Sequence, residues 1–276
     1  MDLSLGFSTC PNDTYIFDAM VNRKIDTEGL RFNLHLADVE ELNNMAFSSL
    51  LDISKVSYHA FAYLSTGYQL LTSGSALGFS NGPLLISKHK IYPDELDNLK
   101  IAIPGKFTTA NLLLSIAYPN LHHKMEYLFS DIEDVILSGE ADAGVIIHEN
   151  RFTYAQKGLK KIVDLGEYWE QQTGMAIPLG GIIVKRSLPL EIRLRVNRVL
   201  RRSVEYAFHN PDDSLPFVKK HAQSMDEDVM RRHIQLYVND FSVDLGTKGK
   251  EAIIALYDRS VEKSIFPPLQ PSYFVE

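Results

Sequence analysis

Ala143-Gly144-Val145-Ile146-Ile147-His148-Glu149-Asn150 is the stretch from which the fold is read. Its apolar run from Ala143 to Ile147 has the length of a buried strand and is too short for a buried helix. The run stops at an imidazole, a carboxylate and an amide. Ligands of open α/β sheets sit outside the carboxyl ends of the strands, so a strand here delivers His148 to a ligand-facing edge. Immediately upstream, Ser130-Asp131-Ile132-Glu133 has the S-x-x-E spacing of a capping box. A helix is predicted from there to near Gly139, with Ile132, Val135, Ile136 and Leu137 as its apolar residues. A histidine after a strand is also at home as a solvated surface residue, and spacing alone leaves both readings open.

Working outward, the same grammar recurs at the N-terminus. Residues 3–8 alternate as a strand and run into Thr9-Cys10-Pro11-Asn12-Asp13-Thr14, a turn that opens a helix over 15–21. Asn12 or Asp13 is its expected cap, and a helix start after a strand is a ready seat for an anion. With no lysine or arginine inside the hexamer to lower its pKa, Cys10 reads as a small packing or ligand-lining residue rather than a nucleophile. Strands are predicted at 30–36 and 53–58, with an amphipathic helix over 39–50 between them. Lys55 is either a solvated edge charge or, bracketed by Ser54 and Ser57, part of a carboxylate-binding set. Residues 73–83 are rich in small residues and irregular, without the spacing of a P-loop or dinucleotide fingerprint.

A short buried strand at 84–87 is followed by a polar segment, 88–98, containing Pro93, which reads as a linker. A fresh βα unit begins at 100–105. Thr108 or Thr109 caps its helix over 110–117, either as a plain cap or as a dock for an anion or carbonyl oxygen. His122 and His123 have no partner at metal-ligand spacing, so no metal site is expected. Pro178 and Gly180-Gly181 precede the apolar strand Ile182-Ile183-Val184 and read as a second crossover. The remainder is helical over 190–209, 226–239 and 249–262, where the arginines of the first helix form a solvated face.

Composition narrows the classes. At 276 residues the chain is long enough for two lobes, and 45% hydrophobic with 23% charged residues is ordinary globular balance. A net charge of −7 argues against a general nucleic-acid binder. The single cysteine excludes an intrachain disulfide and fits a reducing compartment. The N-terminus reads as a mature strand rather than a signal peptide, and no apolar run approaches the ~20 residues of a membrane span. A cytoplasmic protein without membrane insertion is expected, with a homodimer as the default oligomer.

Two βα-rich segments, two linkers and a helical C-terminus are most simply arranged as an α/β fold of two lobes. Lobe 1 is discontinuous, 1–95 and 186–276, and lobe 2, 96–185, is inserted. This is the pattern of the type II periplasmic-binding-protein fold, whose ligand site is the interlobe cleft.

Thr9-Cys10-Pro11-Asn12-Asp13-Thr14, Ser54-Lys55-Val56-Ser57, Gly82-Pro83-Leu84, Thr108-Thr109-Ala110 and His148-Glu149-Asn150, taken in order, resemble the 1,4-dihydroxy-6-naphthoate synthase family of the futalosine route to menaquinone. The resemblance runs over the full length. It implies a binding-protein-like fold working as a cofactor-free lyase. The reaction implied converts cyclic dehypoxanthine futalosine to the naphthoate with release of dihydroxyacetone. It places the proton acceptor at His148 and substrate contacts at Lys55, Val56, Ser57, Thr109 and Ala110. Cys10, Asn12, Asp13, Thr108, Glu149 and Asn150 are further candidates for lining the site, the last two by orienting the imidazole or shaping its turn. The alternatives are a solute-binding protein for an aromatic carboxylate and the related chorismate dehydratase.

Overall fold

The computed structural model describes residues 1–276 apart from 149, 223–225 and 270–271. In chain order the first half contains β1 (Asp2–Phe7), α1 (Pro11–Val21), β2 (Arg31–Leu36), α2 (Val39–Phe47), β3 (Ile53–Ser57), α3 (Tyr58–Leu64), β4 (Tyr68–Leu70), β5 (Ala76–Gly78), β6 (Leu84–Ser87), β7 (Ile101–Ile103), α4 (Thr109–Ala117) and β8 (Lys124–Glu126). The second half contains α5 (Ile132–Ser138), β9 (Ala143–Ile146), α6 (Asn150–Thr153), β10 (Lys160–Asp164), α7 (Leu165–Thr173), β11 (Ile177–Lys185), α8 (Leu190–His209), α9 (Leu215–His221), α10 (Glu227–Tyr237), α11 (Asp240–Val243) and α12 (Gly246–Glu262).

The strands form two sheets. One has the order β2-β1-β3-β11-β4, with β5 also paired to β11; the other has the order β10-β6-β9-β7-β8. Parallel βα units build each sheet, and an antiparallel strand, β11 or β6, joins each one beside them. This is the expected two-lobed α/β architecture, but the sheets divide the chain at different points. β6 belongs to the second sheet, paired with β9 and β10, so the chain crosses between lobes at residues 79–83 and not in the segment 88–98. The return crossing precedes Ile177. β11 runs as one strand through Pro178 and Gly180-Gly181, absorbing them at a bulge between Pro178 and Gly180 while pairing with β5, β3 and β4. Lobe 1 therefore ends before β6 and resumes with β11. Short apolar strands carry no local mark of which sheet they will join, so residues 84–95 and 177–185 change lobes relative to the expected boundaries.

Two expected caps are not made. The α5 N-cap is Asp131, and Glu133, 2% exposed, points inward to Lys157 at 2.8 Å instead of closing a capping box with Ser130. The α1 N-cap is Cys10, with Pro11 in the first position, where its missing N–H costs nothing. Asn12 and Asp13 thereby fall in the first turn and face inward.

A continuous apolar core unites the lobes. Val56, Tyr58, Phe61, Leu256 and Tyr257 of the first pack with Leu85, Ile101, Leu112, Val145 and Trp169 of the second. A separate core lies under α1 and α8, where Leu5, Phe7, Phe17, Ile182, Val199 and Val204 meet. The lobes are thus fused on one side, which leaves the cleft to open on the other. Among the described residues no helix is long and apolar enough to cross a membrane.

Candidate active site

A cavity lined by residues of both sheets lies between the lobes, where folds of two α/β units commonly place small-molecule sites. Its lobe 1 wall is built by the end of β1, the start of α1 and β3. Strand alternation sends Lys55 and Ser57 into the cavity and the Val56 side chain into the shared core. Gly180, opposite Ser57 in the β3–β11 ladder, keeps this corner open. A Cβ there would stand 2.9 Å from the Val56 carbonyl oxygen and 3.0 Å from Lys55 Cε.

Lys55 is not a solvated edge charge. Its ammonium donates to Asp13 Oδ1 at 2.7 Å, and the two side chains are 6% and 2% exposed. Asp13 accepts further bonds from Asn12 Nδ2 at 2.9 Å and, at Oδ2, from the Ser8 hydroxyl at 2.7 Å and the Ser8 N–H at 3.2 Å. Those donors fill about the four lone-pair sites a carboxylate offers. Asn12 Oδ1 faces His233 Nε2 at 2.9 Å, and because the Asn12 nitrogen already serves Asp13, Nε2 carries the hydrogen. His233 comes from α10, beyond any motif in the sequence, and only its burial next to residues of α1 reveals it.

The lobe 2 wall is the N-terminus of α4 and the turn after β9. Thr108 caps α4, its hydroxyl oxygen accepting from the Asn111 N–H at 3.3 Å. The Thr109 hydroxyl is spent on the Leu179 carbonyl at 2.5 Å, a bond between lobes. What Thr109 and Ala110 present is therefore main chain: first-turn N–H groups, which have no intrahelical acceptor. The Ser57 oxygen accepts from Asn43 Nδ2 at 3.3 Å, which leaves its hydroxyl hydrogen to donate. Val39, Leu179 and Tyr237 add apolar and aromatic lining.

His148 lines the cavity from a left-handed backbone position, φ +58°, which is uncommon outside glycine and asparagine. Nδ1 lies 3.5 Å from Cys10 Sγ, and the ring is held edge-to-face by Phe129 at 4.8 Å and stacked on His233 at 5.9 Å with 16° between planes. Cys10 thus sits against the imidazole rather than on the cavity wall. The sulfur, Phe129 and His233 pin the ring from residues far apart in sequence. Asn150 starts α6, half-buried and outside the lining, and Glu149 lies outside the described residues.

A second histidine braces α4. His59 Nδ1 donates to the Thr108 carbonyl at 3.2 Å, and burial lowers its pKa to about 4 while that bond pulls the other way. Burial also holds His233 well below 6.5, aided by the nearby His148 and Lys55. In the unfolded chain both bind protons below pH ~6.5. Between pH ~6.5 and ~4 the unfolded state holds more protons, so stability falls as pH falls through that window. For His59 the loss amounts to about 2 to 3 kcal/mol by pH 4.5. Urea unfolding at pH 7 and 4.5 is expected to show a smaller fall for His59→Asn, which keeps a donor for Thr108; an equal fall would remove His59 from the pH dependence.

A cleft between two α/β lobes, lined by an imidazole and a helix N-terminus on one wall and by hydroxyl and ammonium groups on the other, defines a periplasmic-binding-protein-like fold. The chain belongs to the menaquinone biosynthesis family, whose model matches residues 3–262. It is similar to proteins named 1,4-dihydroxy-6-naphthoate synthase from Thermus thermophilus and Streptomyces coelicolor. The first is 38% identical over 273 residues, 99% of each chain; the second is 38% identical over 274 residues, 98% of this chain and 96% of the relative. A solved structure from Archaeoglobus fulgidus superposes with a TM-score of 0.90 at 32% identity, covering 96% of this chain and 98% of that one. The ligand-binding component of an ABC-type import system from Staphylococcus aureus shares the fold alone: TM-score 0.73, 13% identity, 100% of this chain and 96% of that one.

Proposed function

We propose that this chain is a cytoplasmic lyase that converts cyclic dehypoxanthine futalosine to 1,4-dihydroxy-6-naphthoate and dihydroxyacetone, with His148 as proton acceptor. The observation that carries the reading is the His148 imidazole, pinned by Cys10, Phe129 and His233 at the wall of an interlobe cavity. The naming of its full-length relatives supports the same activity. Imidazole is a competent base near neutral pH without special tuning. For its other nitrogen to accept a proton, Nδ1 carries the hydrogen and directs it at the Cys10 sulfur.

The chemistry starts when His148 takes a hydroxyl proton from the sugar-derived ring. The oxygen lone pair forms a carbonyl, the adjacent carbon–carbon bond breaks in the retro-aldol sense, and its electrons enter the ring system that becomes aromatic. Aromatisation supplies much of the driving force. The Ser57 hydroxyl and the N–H groups of Thr109 and Ala110 hold substrate oxygens, including the aromatic carboxylate, at the positive end of α4. Lys55, matched by Asp13, keeps the first turn of α1 in place and adds no net charge to the wall. Closure of the lobes keeps water from the intermediate.

Purified protein incubated with cyclic dehypoxanthine futalosine, without added metal or nucleotide, is expected to form the naphthoate, followed by chromatography. Folded protein that binds the compound without product is a solute-binding protein, and dehydration of chorismate in its place identifies the sibling dehydratase; either outcome overturns the proposal.

A further inference from the structure

One polar side chain of the cavity has no hydrogen-bond partner among the described residues. Asn81 lines the cavity and is 1% exposed. Among the described residues neither its Oδ1 nor its Nδ2 has a hydrogen-bond partner. Buried amides are nearly always paired, because unmade hydrogen bonds at desolvated groups are costly.

The loop around it is not loose. Ser80, in the left-handed region at φ +56°, donates its N–H to Glu170 Oε1 at 2.6 Å. Arg151 donates to the Gly82 carbonyl, and the Leu165 N–H to the Pro83 carbonyl at 3.0 Å. Gly82 packs on Gly166 so closely that a Cβ would come within 2.3 Å of Gly166 Cα.

A second amide gives the contrast. Asn239 and Asn81 both crowd the space over Gly78, their nitrogens 3.0 and 2.8 Å from where a Cβ would sit. Asn239 is fully employed: Nδ2 donates to the Leu77 carbonyl at 2.9 Å and Oδ1 accepts from the Phe241 N–H at 3.0 Å. Asn239 builds the corner, while Asn81, held as firmly, bonds to nothing in it.

We infer that Asn81 is a substrate-recognition residue whose amide takes the polyol portion of the substrate. A carboxylate only accepts hydrogen bonds and would leave the amide oxygen facing another oxygen. A hydroxyl pair, or a hydroxyl beside a carbonyl, offers a donor and an acceptor together, which is what one amide satisfies. Ser57 and the α4 N-terminus supply donors alone and suit the anionic end. This assignment rests on the lyase reading, in which one ligand carries both ends. It also places polyol recognition on the crossing between the two sheets.

The test uses Asn81→Leu, of similar volume, and Asn81→Ala. Because the amide bonds to nothing among the described residues, Asn81→Leu is expected to have a thermal midpoint equal to or above that of the wild type. For both variants KM for cyclic dehypoxanthine futalosine is expected to rise at least tenfold, with kcat within about threefold, the signature of lost uniform binding. A midpoint lowered by several degrees in both variants, or an unmoved KM in Asn81→Ala beside active wild type, overturns the Asn81 assignment alone. Wild type that neither binds nor turns over the compound overturns the lyase reading, and the polyol assignment with it.

Discussion

Replacing His148 by alanine is expected to lower kcat by about 10³-fold, within the range for loss of a positioned general base, while substrate affinity changes by less than about tenfold. The asymmetry follows from the site. In the proposed reaction, hydrogen bonding to substrate is spread over Ser57, the α4 N-terminus and Asn81, whereas His148 takes the proton. The positive φ at this position offers a clean control. Asparagine tolerates the left-handed region and cannot act as a base of comparable strength, so His148→Asn is expected to fold as the wild type does and to be as inactive as the alanine variant. Single-turnover assays with thermal midpoints measured in parallel separate chemistry from folding. More than a tenth of wild-type turnover in His148→Asn would take the imidazole out of the proton-transfer role.

Removing Lys55 is expected to have the largest effect on stability. Lys55→Met leaves the Asp13 carboxylate, 1% exposed, with only the neutral donors of Ser8 and Asn12. Stranding one member of a buried ion pair costs about 3–5 kcal/mol, since the desolvated charge stays and its counter-charge is gone. The double variant Lys55→Met with Asp13→Asn removes both charges and is expected to recover most of that loss. Urea unfolding at pH 7 provides the numbers. A loss below about 1 kcal/mol for the single variant would mean the pair is dispensable for the fold, as exposed pairs commonly are.

Much of the architecture is legible in the chain itself. The alternation at 30–36 becomes β2, the apolar run ending at His148 becomes β9, and the stripe over 190–209 becomes α8 with the same bounds. These readings succeed because burial of one face at a period of 2 or 3.6 residues is a local property. Much of the cavity wall is legible too: Asn12, Asp13, Lys55, Ser57, Thr108, Thr109, Ala110 and His148 stand at strand ends and helix starts in the sequence, and all line it. The misplaced features have one cause. Residues 84–87 read correctly as a strand, yet nothing in Leu84-Leu85-Ile86-Ser87 says that its partners are β9 and β10. Asn81 sits in a glycine-rich loop, where an asparagine ordinarily marks a turn, and His233 lies on a helix whose face no short motif marks.

By itself, then, the sequence marked most of the strands and helices and the two-lobed class, because period, capping and breaking residues act within a few positions of one another; the short strands β4, β5 and β8 carried no such mark. Only the tertiary structure decided which sheet received β6 and β11, that Lys55 is buried against Asp13, and that Cys10 and His233 lie against His148. It also decided that Asn81 would be buried without a partner among the described residues. Each of these depends on contacts between distant segments, and an ionisable or polar side chain takes its state from whatever the fold sets beside it: a counter-charge, a ring, or the open space of a binding cavity.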